Sequence, residues 1–162
     1  MPTLQVRNRL RAFRVNERVL SRYFADIART LELGEQAAAT VTFVGPTTIA
    51  NLKHEHFGLR LRTDCIAFGV DMGAMPGGVR FLGDMVFCPE VIRENAVELG
   101  RDFETEALFV FAHGVLHLLG WDDDTPRRRN RMYRKQDELV ARCRPPARAF
   151  AWVKRRTRAR VG

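Results

Sequence analysis

Cysteine is scarce. The three present, Cys65, Cys88 and Cys143 in 162 residues, lie too far apart for a C-x-x-C metal pair or an obvious disulfide framework, which points to a reducing cytoplasm. Long hydrophobic runs are also missing. The most apolar stretch, Ala107 to Trp121, is shorter than the about 20 residues a bilayer span needs and carries two histidines, so a membrane protein is not expected. The opening MPTLQVRNRLRAF has scattered arginines and no apolar segment of the secretory kind. No internal repeat is visible, and a composition of 46% hydrophobic and 28% charged residues fits one soluble domain with its own core, plus extensions.

Acid is absent from Leu139 to Gly162, where Arg142, Arg144, Arg148, Lys154, Arg155, Arg156, Arg158 and Arg160 fall. Without them the chain holds as many bases as acids, so the formal net charge of +8 belongs to its end. We therefore divide the sequence into a domain over residues 1–141 and a basic tail over 142–162. With Phe150 and Trp152 among the arginines, the tail has two readings. It can hold a phosphate backbone by charge and stack on bases by its rings, or it can be a solvated, disordered end.

What is present reads as α+β. Thr3 to Val6 suits a strand, and Asn16 to Leu33 a helix capped by Asn16 and ended by Gly34. Thr40 to Val44 suits a second strand, followed by Gly45-Pro46 and a helix from a Thr47 or Thr48 cap to about His56. Asp64 to Val70 and Val79 to Phe87 read as antiparallel strands, joined through an open loop containing Gly73, Pro76, Gly77 and Gly78. Three helices follow: one from Pro89 to Leu99, one capped by Asp102 and apolar on nearly every side, and a charged one from Arg127 to Val140, with Pro145-Pro146 ending regular structure. The order predicts a small mixed β-sheet of about four strands covered by helices around a central buried helix.

That buried helix carries the chemistry. Residues four apart share a helix face, so His113 and His117 can aim ring nitrogens at one ion. Gly120 can end the helix in the left-handed conformation and bring Asp122, Asp123 or Asp124 beneath them as a third ligand. Three protein ligands leave a position open for water, as in catalytic zinc sites. Glycine at position 114 removes the glutamate of the H-E-x-x-H helix, and with it the usual peptidase mechanism.

The run His113-Gly-Val-Leu-His117-Leu-Leu-Gly120-Trp-Asp-Asp123 resembles the H-G-x-L-H-L-x-G-Y-D-H signature of the YbeY family of metal-dependent endoribonucleases. Thr63-Asp-Cys-Ile-Ala-Phe68 is similar to the family's T-D-V-L-S-F, Leu82-Gly-Asp-Met85 to its L-G-D-I, and Met132 falls where the family has methionine. The resemblance covers Asn51 to Leu139. It implies a single-strand-specific endoribonuclease that matures ribosomal RNA, notably the small-subunit 3′ end, and serves ribosome quality control. Its partners would be precursor rRNA and the small ribosomal subunit, with no DNA, and its cofactor one zinc ion. His113 and His117 match the first two metal ligands, and Asp123 falls where the family has a third histidine.

Three departures follow. A carboxylate at Asp123 leaves the site with less positive charge than three imidazoles would, which acidifies a bound water less and tolerates manganese better. Phe57 stands where the family has a cleft arginine, so Arg60 or Arg62 is the candidate to meet phosphate. The stretch Arg127-Arg128-Arg129-Asn-Arg131, acidic in many relatives, widens the surface offered to RNA. The resemblance also puts Asp64 and Asp84 at positions able to orient a ligand histidine or accept a proton, against a plainer capping or turn role. The mechanism expected is metal catalysis at His113, His117 and Asp123, with Arg60, Arg62 or the tail holding the backbone. The alternative is a ribosome-associated RNA-binding protein whose metal site is structural or degenerate; a metallohydrolase of another substrate class is the third reading.

Overall fold

The computed structural model describes residues 1–70 and 78–154. In chain order the elements are β1 (Thr3–Asn8), β2 (Phe13–Val15), α1 (Glu17–Thr30), β3 (Ala37–Phe43), α2 (Pro46–Phe57), β4 (Cys65–Gly69), β5 (Arg80–Phe87), α3 (Pro89–Leu99), α4 (Phe103–Leu118), α5 (Pro126–Cys143) and β6 (Phe150–Trp152). Four strands form one sheet in the order β1-β3-β5-β4, and β2 pairs with β6 in a second, two-stranded sheet. In the main sheet β1, β3 and β5 are parallel, and β4 runs antiparallel to β5, as the sequence predicts.

Alternation along β3 sorts the two faces of the sheet. Ala37, Ala39, Val41 and Phe43 are buried on one face, against α1 and α4, while Ala38, Thr40 and Thr42 point to the other. That second face carries a smaller cluster, with Ile49 of α2 packed beside Ile66, Cys88 and Val91. Helix α4 is the expected central helix: Leu108, Phe111, Val115 and Leu116 are all buried. The buried Tyr23 hydroxyl of α1 donates to the Leu108 carbonyl at 2.9 Å, tying α1 to α4. Gly114 lets α4 lie close on the sheet. A Cβ there would meet Met85 Sδ at 3.0 Å, Phe87 Cζ at 3.1 Å and Cys65 Sγ at 3.3 Å.

Several boundaries differ from expectation for local reasons. Asn16 caps α1 as predicted, but the helix ends at Thr30. Glu32, at φ 56°, takes the left-handed position; its N–H reaches Arg29 O and that of Leu33 reaches Ala28 O. Gly34 lies past this closure. In α2 the cap is Gly45 with Pro46 in the first turn, so neither Thr47 nor Thr48 caps it. Strand β3 begins at Ala37, because pairing with both β1 and β5 overrides the helical preference of three alanines. The predicted loop residues Gly73, Pro76 and Gly77 lie outside the described residues.

The largest difference is at the end of the chain. A tail beginning at residue 142 would cut α5, and Pro145-Pro146 ends that helix without ending the fold. Strand β6 follows, with Asn16 N donating to Ala149 O at 2.8 Å and Val153 N to Ala12 O at 2.9 Å. Phe150 is 6% exposed and stacks on Phe13 at 5.7 Å between centroids, while Trp152 packs on Phe103 under the Arg93 guanidinium. These rings belong to the core, so the reading in which they stack on RNA bases is withdrawn. The basic run at 155–162 lies outside the described residues. No helix among the described residues is long and apolar enough to cross a membrane.

Candidate metal centre

His113 and His117 project from the last turns of α4, whose C-terminus is closed by Gly120 at φ 89°. Gly120 N bonds His117 O at 3.0 Å and Trp121 N bonds Leu116 O at 3.0 Å, the double closure that a left-handed glycine permits. The chain is thereby turned back under the helix. Asp123 Oδ2 comes within 3.7 Å of both His113 Nε2 and His117 Nε2. Of the three neighbouring aspartates it alone joins the histidines in a metal-competent group among the described residues. Asp124 accepts from Arg128 at 3.1 Å, and Asp122 lies 4.0 Å from the same guanidinium.

The hydrogen bonds on the far side of each ring fix what the near side offers. His117 Nδ1 lies 2.9 Å from Trp121 O, a carbonyl that only accepts, so that nitrogen carries the proton. His113 Nδ1 lies 2.9 Å from Gln136 Oε1, and the Gln136 amide is turned that way because its Nε2 donates to Phe109 O. Both Nε2 atoms therefore present lone pairs, and they face each other at 2.8 Å. Two lone pairs and a carboxylate oxygen converging without a donor between them repel, unless a cation sits there. Ligands around a tetrahedral ion with bonds of ~2.0–2.1 Å are spaced roughly 3.4 Å apart, and the separations of 2.8, 3.7 and 3.7 Å bracket that value. The donor set fits a divalent ion. Burial and then the neighbouring His113 hold the His117 imidazole below the usual histidine range, against the pull of Asp123, which keeps it neutral and able to ligate.

Gln136 was not read from the sequence as part of the site. It comes from α5, 23 positions after His113, and is fully buried. Asp64 lines a cleft of about 440 Å³ with His113, Asp123, Arg101, Tyr133 and Gln136. Burial raises the proton affinity of Asp64, opposed by His113. Cys65 next to it is half-buried, desolvation pushes its thiol well up, and it does not join the metal-competent group among the described residues. Asp84 is elsewhere: it accepts from Thr40 on the opposite face of the sheet, so it does not orient a ligand histidine. Arg60 donates to Asn51 and Arg62 to Glu94, and no hydrogen bond or ion pair joins either to the histidines. Phe57 is 56% exposed and stacked beside Phe68. Arg101, unremarked in the sequence, lines the cleft with its guanidinium 3.3 Å from the buried Glu106 carboxylate.

Fold and donor set together define an α+β protein with an open two-histidine, one-carboxylate site. Comparison with known proteins makes this specific. The family described as Endoribonuclease YbeY matches residues 5–144. Among curated relatives, Endoribonuclease YbeY of Symbiobacterium thermophilum is 42% identical over 114 residues, 67% of this chain and 73% of that protein. Its counterpart in Pelotomaculum thermopropionicum is 32% identical over 76% of this chain and 84% of its own length. The solution structure of TM1509 from Thermotoga maritima shares the fold, with a TM-score of 0.60 at 24% identity, covering 87% of this chain and 89% of that one. The chain belongs to the YbeY family.

Proposed function

We propose that this protein is a metal-dependent endoribonuclease, specific for single-stranded RNA, that matures ribosomal RNA at the small-subunit 3′ end and serves ribosome quality control in the cytoplasm, in contact with the small subunit. The observation that carries the reading is the convergence of His113 Nε2, His117 Nε2 and Asp123 Oδ2 with no donor among them. The relatives named Endoribonuclease YbeY support RNA as the substrate. Two imidazole nitrogens favour zinc, and the carboxylate leaves room for manganese. When bound, the ion supplies a Lewis acid for a phosphodiester oxygen and acidifies water.

The chain's own residues do the rest. Gln136 and the Trp121 carbonyl hold the two imidazoles in one tautomer. Asp64, whose proton affinity is raised by burial, takes a proton from the attacking oxygen or returns one to the leaving oxygen. Arg101 meets phosphate in the cleft in place of the arginine that Phe57 replaces. Arg60 and Arg62 contact flanking RNA, since exposed partners such as Glu94 compete weakly.

The test is metal content together with cleavage of single-stranded RNA by the wild type, His113→Ala and His117→Ala. Both variants should lose metal and activity together. Cleavage that survives in the metal-free double variant would sink the reading.

A further inference from the structure

Beside the metal centre lies a groove of about 430 Å³ lined by Leu119, Gly120, Trp121, Asp122, Arg128 and Arg131. We propose that this groove is a nucleotide subsite, in which one RNA base stacks on the Trp121 indole while Arg128 and Arg131 meet the flanking phosphates. The proposal rests on the nuclease reading above and adds to it a residue that grips the base.

Position is the first argument. The Trp121 backbone is held at both ends, by Leu116 O and by His117 Nδ1, so the root of the indole is fixed two residues from Asp123. A base seated on it lies next to the phosphate presented to the metal centre. The second argument is the ring itself. Trp121 is half-buried against the core, and the Arg131 guanidinium lies 4.9 Å from its centroid, which shows that the ring accepts a flat partner. Such a contact is weak at an exposed site, and Arg131 has no carboxylate partner among the described residues. It can swing to a phosphate and yield the ring to a base. Tryptophan here, where the family signature has tyrosine, enlarges the stacking surface.

Charge is the third argument. Helix α5 begins at Pro126, so Arg127, Arg128 and Arg129 occupy its first turn, where no acid is present. The positive end of the helix dipole already faces that turn, and cations there work against the helix. A polyanion laid across the groove relieves this conflict. Arg128 is oriented at the groove by Asp124 at 3.1 and 3.3 Å, with Asp122 at 4.0 Å, and these exposed carboxylates compete only weakly with a phosphate. Stacking on an open ring requires an unpaired base, consistent with a single-stranded substrate.

The chain has two tryptophans, and Trp152 is packed in the core, so Trp152→Phe leaves Trp121 as the only indole. The metal-loaded Trp152→Phe protein is titrated with a nuclease-resistant 2′-O-methyl phosphorothioate hexanucleotide, and separately with inorganic tripolyphosphate. The oligonucleotide should quench Trp121 fluorescence and tripolyphosphate should not. By anisotropy of the labelled oligonucleotide, Trp121→Leu should weaken binding roughly tenfold, Trp121→Phe should restore most of it, and Arg131→Gln should lower the salt slope by about one. Absence of quenching, or equal affinity of Trp121→Leu and wild type, overturns the subsite. Binding is read without turnover: a protein that cuts RNA yet shows no quenching loses the subsite and keeps the nuclease, while quenching without cutting supports the subsite and removes the nuclease.

Discussion

Gln136 decides which nitrogen of His113 faces His117 and Asp123. Its Oε1 accepts from the Nδ1–H and its own amide is oriented by Phe109 O, so replacing it with leucine leaves that N–H without its acceptor and frees the ring to turn. Gln136→Leu should weaken metal binding by about 10- to 100-fold, read by competition with a chromophoric chelator. Unchanged affinity would show that the ring is fixed some other way. Gly114 acts through packing. A methyl group there comes within 3.0 Å of Met85 Sδ, so Gly114→Ala should lower unfolding free energy by about 1–3 kcal/mol, measured by denaturant titration. Position 114 faces the sheet, so a glutamate there would press into Met85 and Phe87 instead of serving as a base. The metal-competent group itself was legible because eleven contiguous residues hold His113, His117 and Asp123, with the choice of Asp123 among three aspartates resting on the family resemblance. Gln136 was not, since it arrives from another helix. Its one local sign is that it interrupts an apolar stripe, with Met132, Leu139 and Cys143 buried on the same side of α5.

Among the elements, β6 is the one whose presence only tertiary structure explains. Three residues after two prolines carry no periodicity, and β2, its partner, is equally short. What holds β6 is the aromatic cluster of Phe13, Phe103, Phe150 and Trp152, together with Glu104, whose Oε1 accepts from Ala149 N. Glu104 Oε2 is buried without a partner, and burial raises the proton affinity of the carboxyl above that in the unfolded chain. The folded state then binds more protons, so this group's contribution is full below the unfolded value and is lost as pH rises through the folded one. Acidifying toward the ordinary carboxylate range should therefore raise the protection factors of Ala149 and Phe150, taken relative to the intrinsic exchange rate at each pH. Glu104→Gln should flatten that dependence; an unaltered pH profile in the variant would assign it to another group. The long helices and the main sheet were readable because caps and apolar spacing are local, as Asn16, Asp102 and Gly100 show. The arginines opening α5 are a local conflict of the opposite kind. Arg127→Glu should raise Tm by roughly 1–3 °C while weakening RNA binding, a trade checked by calorimetry and anisotropy.

At the scale of the molecule, the basic end of the sequence overlaps the fold. The sequence places the excess of bases at the C-terminus, but the fold retains the chain as far as β6, so a truncation at residue 144 removes part of the aromatic core along with the charge. Removing residues 155–162 spares the described fold and takes away Arg155, Arg156, Arg158 and Arg160. If these hold phosphates, the slope of log affinity against log salt should fall by roughly 2–3, at about 0.7 per contact for a single strand. A slope equal to that of the full chain would leave the run without a role in binding.

Because β6 docks beside Phe103, the last described residues lie near the first turn of α4, whereas His113 lies ten residues further along that helix. At 1.5 Å per residue the two points are about 15 Å apart along the axis. Were residues 155–162 to hold the strand near that point, helix α4 would act as a ruler for substrate length. A strand that keeps the stacked, duplex-like spacing of about 3.4 Å per nucleotide needs roughly five of them to span that distance. Cleavage of oligonucleotides shorter than this should be indifferent to loss of residues 155–162, and the dependence should emerge as substrates lengthen.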